Sequence, residues 1–135
     1  MSDLIFVYGT LRRGFPATEP ERRQAFERFL GTGSIRALLY DLGPYPGAVA
    51  SASPEERVRG EVYALRKNAL AVLDRYEVAV TGSELGGTFA RALAEVQLDA
   101  GEKRRAWVYF YNRAPDGARR IAGGDYLAHL AAGEP

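Results

Sequence analysis

Residues 4–8, "LIFVY", carry apolar side chains on both alternating faces, with Leu4, Phe6 and Tyr8 on one and Ile5 and Val7 on the other. A strand that is apolar on both sides needs cover on both sides, so the pattern predicts a buried strand at the start of the chain. It runs directly into Gly9, and a second glycine, Gly14, follows five positions later. A strand ending in glycine lets the N–H groups of Gly9, Thr10 and Leu11 converge on an anion if Gly9 takes a positive φ. Such a nest suits one carboxylate or one phosphate, with Arg12 and Arg13 adding charge at its rim. The same residues also fit a plain turn carrying a solvent-facing arginine pair.

"GTLRRG" (9–14) satisfies the glycine half of a nucleotide P-loop, but Phe15 and Pro16 stand where Lys and Ser/Thr would contact phosphate and magnesium. Pro16 lacks an N–H and biases Phe15 away from helix, whereas a P-loop leads straight into one. "GTGSIR" (31–36) departs from a dinucleotide fingerprint at Arg36 and precedes a strand instead of following one. Neither glycine run supports nucleotide chemistry.

Beyond the first loop, Thr18, Pro20 and Glu21 have the spacing of a helix start. The helix is expected to reach about Leu30, with Ala25, Phe26, Phe29 and Leu30 as its apolar face and "GTG" at 31–33 as its stop. A strand over "SIRALLYDL" follows, then a turn at "GPYPGAVA" that enters a short extended piece. Residues 58–65 predict a strand with a small face of Val58, Gly60, Val62 and Ala64 and a polar-aromatic opposite face. Residues 68–77 predict a short helix capped by Asn68, and "VAVTGSELGGT" (78–88) is the loosest stretch. Two strands, 89–99 and 104–113, form a hairpin around "AGEK", and a last helix surrounds "GDYLAHLAA".

Strands do not alternate regularly with helices, which disfavours a doubly wound parallel sheet. Five or six strands with about three helices predict a single α+β domain over residues 1–135 whose sheet is strongly curved or closed. The N-terminus "MSDLIFVYG" has no basic region and too short an apolar run for a signal peptide or a membrane span. The expectation is a soluble, cytoplasmic chain with no membrane partner.

The chemical inventory is narrow. The chain has no cysteine and a single histidine, His129, which excludes thiolate nucleophiles and argues against a conventional zinc site. No metal is therefore expected. The formal net charge is only +1, with 18 cations against 17 acids interleaved along the chain. Nucleic-acid binders gather a basic excess on one stripe. The pairs Arg12–Arg13, Arg22–Arg23, Arg104–Arg105 and Arg119–Arg120 instead suggest solvated arginines and no nucleic-acid partner, an interaction domain built on those pairs being the competing possibility. Ser34, Ser51, Ser53 and Ser83 sit in no G-x-S-x-G context.

Carboxylates are left, and Glu77 stands out. On a helical wheel it falls between Leu70 and Leu73 at the edge of the apolar face, while Arg75 points away and Asp74 lies further round toward solvent. Apolar surroundings and a helix C-terminus would both raise the pKa of such a carboxyl, as a general acid–base group near neutral pH requires. Glu77 also fits a boundary carboxylate paired with an arginine. Tyr109 shares a strand face with Trp107 and Tyr111, any of which would either wall a pocket or pack in the core. Tyr126 is similarly open, and His129 is expected at the surface, partly exposed.

"VYGTLRRG", "GEVYAL" (60–65), "LDRYE" (73–77), Phe89-Ala90-Arg91 and "AWVYFY" occur here in that order. From residue 4 to about 126 the chain resembles the γ-glutamylcyclotransferase-like family, which includes γ-glutamylamine cyclotransferases and avirulence-induced-gene-like proteins. The resemblance implies a small mixed β-barrel with flanking helices and an enzyme that needs no cofactor. It implies a small γ-glutamyl amide or peptide as substrate, converted to 5-oxoproline and a free amine. By the same resemblance the backbone of Tyr8, Gly9, Thr10 and Leu11 holds the substrate α-carboxylate and Glu77 moves the proton. Phe89 stands where many relatives carry tyrosine. The alternative is a non-catalytic module that binds a carboxylate-bearing metabolite in the same pocket.

Overall fold

The structure, a computed structural model, describes residues 3–9, 26–43, 45–74, 89–115 and 117–131. Seven strands are assigned: β1 (Leu4–Val7), β2 (Phe26–Asp41), β3 (Pro46–Ala50), β4 (Arg57–Leu65), β5 (Phe89–Leu98), β6 (Lys103–Tyr111) and β7 (Arg119–Arg120). Helical residues 69–74 (α1) follow β4, and a second helix, α2 (Tyr126–Ala131), follows β7.

The sheet closes on itself. Along the order β2-β4-β1-β6-β5 each strand bonds its neighbour, and β5 returns to β2 through Gly33↔Leu98 and Ser34↔Gln97. The result is a five-stranded barrel, antiparallel except where β1 meets β6 in parallel at Ile5↔Trp107. β3 and β7 extend the C-terminal half of β2 on its two edges. The curved or closed α+β sheet expected above is therefore a closed barrel, and the β5–β6 hairpin pairs from Phe89↔Tyr111 to Gln97↔Lys103, as expected.

Both faces of β1 are buried, for two different reasons. Phe6 and Tyr8 point into the barrel with Ile35, Val58, Val62, Val96 and Val108, so every barrel strand contributes to one interior cluster. Ile5 and Val7 point outward and are covered by Ala69 and Leu73 of α1, with Tyr63, Leu65, Phe89 and Tyr109 completing the outer cluster. The doubly apolar pattern of "LIFVY" follows from this double burial.

One expectation fails in part. The helix expected over 18–30 does not extend through residues 26–30, which form the first turn-free stretch of β2; residues 18–25 lie outside the described residues. The apolar spacing that suggested a helix has another cause. A register shift between Phe26 and Arg28 lets Phe26 pair Leu65 while Phe29 pairs Tyr63, so two residues three apart share one face of a strand. Both rings lie on Tyr63, with centroids 4.3 Å and 5.4 Å away.

Nor does "GTG" end a helix. Gly31 has φ 143° at a second register shift, and Gly33 sits where β2 meets β5. A Cβ on Gly33 would lie 2.6 Å from the Gln97 carbonyl oxygen, so the barrel closes there only because that position has no side chain. The described residues contain two helical segments. Asn68 precedes α1 with φ 65°, the left-handed conformation asparagine tolerates, rather than the extended backbone of an ordinary cap. Among the described residues no helix is long and apolar enough to cross a membrane.

Candidate active site

The candidate site begins at the C-terminal end of β1. Tyr8 turns its side chain into the barrel, where its hydroxyl donates to the Tyr109 carbonyl oxygen at 2.6 Å and accepts from the Ala48 N–H at 3.1 Å. Those two bonds pin the last residue before Gly9 to β6 and β3 at once. Gly9 does not adopt the positive φ expected of it. What its position requires is space, because a Cβ there would lie 2.9 Å from Cγ of Pro46. Pro46 thus closes one side of the β1 exit. Tyr45, Phe89 and Tyr111 continue the wall in edge-to-face contact, with Phe89 5.7 Å from Tyr45 and 5.8 Å from Tyr111 between ring centroids.

The second motif approaches from α1. Leu73 is fully buried and holds the helix to the outer face of the barrel. Next to it, Asp74 is drawn in rather than turned toward solvent, with a side chain 24% exposed. It accepts from the Tyr109 hydroxyl at 2.5 Å and from both Nε and Nη2 of Arg91 at 3.0 and 3.2 Å. The two-pronged Arg91 contact has the geometry that a planar guanidinium fork offers a carboxylate. Its guanidinium carbon also lies 4.5 Å from the centroid of the Trp107 ring. Three of the motifs singled out in the sequence, "VYG", "LDRYE" and Phe89-x-Arg91, therefore meet at β6.

Thr10, Leu11 and Glu77 lie outside the described residues, as do Arg75, Arg12–Arg13, Arg22–Arg23 and the 78–88 segment. Of the anticipated anion seat, Tyr8 and Gly9 are placed. Of the anticipated pocket wall, Trp107, Tyr109 and Tyr111 lie in or against the outer cluster beneath α1.

Glu61 was not singled out by the sequence. It is only 5% exposed on β4, is the cross-strand partner of Val7, and accepts from the Tyr63 hydroxyl at 2.7 Å. Carboxylates are seldom this buried unless they are partnered, and the Tyr63 hydroxyl supplies a partner here. In the sequence it appears only within "GEVYAL", on the polar-aromatic face of that strand.

Two minor expectations sharpen. His129 is part-buried, in keeping with a partly exposed histidine, and it is also a pairing residue: its side chain is 9% exposed, and Nε2 lies 2.9 Å from Asp41 Oδ2. The hydrogen bond with His129 holds the Asp41 carboxyl below its ordinary pKa, with help from the Gly43 N–H. Tyr126 belongs to the interior cluster, and burial pushes its hydroxyl pKa upward. At the opposite end of β1 a groove of about 720 Å³ is lined by Arg28, Arg104 and Arg105 together with Asp3 and Glu27, so both signs face it. Among the described residues no group of three or more His, Cys, Asp or Glu side chains is arranged to hold a metal ion.

Comparison with known proteins fits this geometry. The family described as gamma-glutamyl cyclotransferase, AIG2-like, matches residues 5–128. The gamma-glutamylcyclotransferase family protein YtfP of Escherichia coli K12 is 38% identical over 124 residues, covering 91% of this chain and 95% of that one. The solution structure of ytfP from Escherichia coli superposes with a TM-score of 0.65 at 36% identity, covering 94% of this chain and 98% of that one. The crystal structure of an aig2-like protein from Mus musculus shares the fold, with a TM-score of 0.71 at 24% identity and coverage of 93% and 88%. With the family signature spanning nearly all of the barrel, and its motifs meeting at β6, the chain belongs to the gamma-glutamyl cyclotransferase, AIG2-like family.

Proposed function

We propose that this chain converts a small γ-glutamyl amide or peptide to 5-oxoproline and a free amine. The backbone of Tyr8, Gly9, Thr10 and Leu11 receives the substrate α-carboxylate, and Glu77 is the general base and acid. The observation that carries this reading is the convergence on Tyr109 of Tyr8, from the loop motif, and Asp74, from the motif that contains Glu77.

In the reaction, the Glu77 carboxylate takes a proton from the substrate α-ammonium. The freed amine nitrogen attacks the γ-carbonyl carbon, forming the ring C–N bond and a tetrahedral oxyanion. The oxyanion collapses, the bond to the original amide nitrogen breaks as Glu77 returns its proton to that nitrogen, and the ring nitrogen gives up its second proton to the released amine, which leaves as an ammonium. Nucleophile and electrophile belong to one molecule, so the protein's task is to hold the α-carboxylate and bend the chain into reach. The aromatic wall of Tyr45, Phe89 and Tyr111 suits the apolar methylene stem of a γ-glutamyl group.

The test is to incubate purified protein with a panel of γ-glutamyl amines and γ-glutamyl dipeptides and to assay 5-oxoproline. Product from the wild type and none from a folded Glu77→Gln variant is the expected result. Equal turnover by Glu77→Gln removes the role given to that residue. Thermal stabilisation by these compounds without turnover, retained in Glu77→Gln, identifies a binding module instead.

A further inference from the structure

Tyr109 is bonded at both ends. Its carbonyl oxygen accepts from Tyr8, which adjoins Gly9, and its hydroxyl donates to Asp74, which precedes Glu77 by three residues. Arg91 grips the same carboxylate from β5 with two nitrogens, and the Trp107 ring beneath limits how far the guanidinium can swing. Asp74 therefore accepts three hydrogen bonds from two adjacent strands of the barrel. Side-chain exposures of 23% for Arg91 and 24% for Asp74 set this pair apart from fully solvated surface pairs, which hold little in place. Three residues of chain span at most about 11 Å, so fixing Asp74 restricts what a group on residue 77 can reach.

We propose that Tyr109, Asp74 and Arg91 form a positioning network that sets the distance between the carboxylate seat at Tyr8–Gly9 and the chain carrying Glu77. This inference rests on the function proposed above. None of the three touches the reacting atoms. They matter because a general base must come within about 2.6–3.2 Å of the proton it takes, and a misplacement of about 1 Å can cost about 100-fold in rate. The network is anchored on barrel strands, the most rigid support available to a helix end.

The test uses the full chain and the γ-glutamyl substrate on which the wild type turns over. Tyr109→Phe deletes one oxygen and leaves the backbone carbonyl that receives Tyr8. Asp74→Asn keeps the shape but removes the charge that Arg91 grips, and Arg91→Lys keeps the charge but loses the fork. In folded protein, kcat should fall roughly 10- to 100-fold in Tyr109→Phe and Asp74→Asn while KM stays within about threefold. Arg91→Lys should fall between these variants and the wild type. The Tyr109→Phe/Asp74→Asn double variant should be no slower than the slower single, because both act through one contact. Should Asp74→Asn fail to fold, the single-oxygen change in Tyr109→Phe still decides the matter. Wild-type kcat in folded Tyr109→Phe, with Glu77→Gln inactive, overturns the network and leaves the proposed reaction standing. A rise in KM at unchanged kcat also overturns it. No 5-oxoproline from the wild type across the panel overturns both.

Discussion

The Tyr8 hydroxyl donates to the Tyr109 carbonyl oxygen at 2.6 Å across 101 positions of sequence, and the hydroxyl oxygen itself accepts from the Ala48 N–H. One buried hydroxyl thereby joins β1, β6 and β3 at the end of the barrel where the opening loop begins. Removing two buried hydrogen bonds costs about 1–3 kcal/mol, since the groups they satisfied are cut off from water. Tyr8→Phe is therefore expected to lower the unfolding free energy by that amount, read as a lower urea midpoint at an unchanged m-value. A loss under about 0.5 kcal/mol, the range of neutral surface changes, would mean that the hydroxyl is not a structural tie.

Barrel closure makes a separate prediction. A Cβ at Gly33 would meet the Gln97 carbonyl oxygen at 2.6 Å and the Leu98 Cα at 3.1 Å, both backbone atoms that cannot rotate away. Gly33→Ala is expected to destabilise by about 1–3 kcal/mol or more, the range of overpacking. Hydrogen exchange should localise the damage to the β2–β5 seam. Gly43, whose Cβ would meet nothing within 4 Å, has φ 98° and offers a contrast in which strain arises from backbone conformation alone.

The same seam shows why part of the fold was legible in the sequence and part was not. Strands such as β1, β4 and the β5–β6 hairpin announce themselves through local alternation and turn residues. β2 does not, because a bulge puts Phe26 and Phe29 on one face at helical spacing, and the ring that makes this favourable, Tyr63, is supplied by β4. Closure between Gly33 and Leu98 is likewise non-local, so "GTG" resembled a helix stop. At the site, Tyr8, Gly9 and the "LDRYE" motif stood out by residue type and order. The Asp74–Arg91 pair and the buried Glu61 did not, because each acquires its meaning from a neighbouring strand. The His129–Asp41 contact was hidden for the same reason, since 88 positions separate the two residues.

Stability should depend on pH through Asp99. Arg59 bonds both oxygens of this carboxylate at 2.8 and 2.6 Å, and the Thr32 hydroxyl donates to Oδ2 at 2.6 Å. The Arg59 hydrogen bonds, then that from Thr32, hold its pKa far below the usual carboxylate range. A depressed folded pKa means that the unfolded chain takes up the proton first on acidification. The stabilisation is therefore fully present above about pH 4 and is lost as pH falls through the folded pKa. Both side chains are more than a third exposed, at 37% and 48%, so salt should weaken the effect. Asp99→Asn should be less stable than the wild type at pH 6, and the gap should narrow steadily as pH falls from about 4 toward about 2. Parallel curves over that whole range would sink the assignment.

The outer cluster supplies the last prediction, and it separates the stability of α1 from its proposed positioning role. Leu73 has no exposed surface and packs with Ile5, Val7, Tyr63 and Tyr109 between α1 and the barrel. Leu73→Ala removes those contacts and leaves a cavity under the helix, which typically costs about 2–5 kcal/mol. Leu73→Met conserves volume and should cost less than about 1.5 kcal/mol. If α1 is held chiefly by this burial, Leu73→Ala should lose hydrogen-exchange protection throughout residues 69–74 and lower the melting temperature, whereas Tyr109→Phe should leave that protection largely intact. The reverse ranking would show that the polar contacts at Asp74, rather than the apolar face beside them, carry the helix on the barrel.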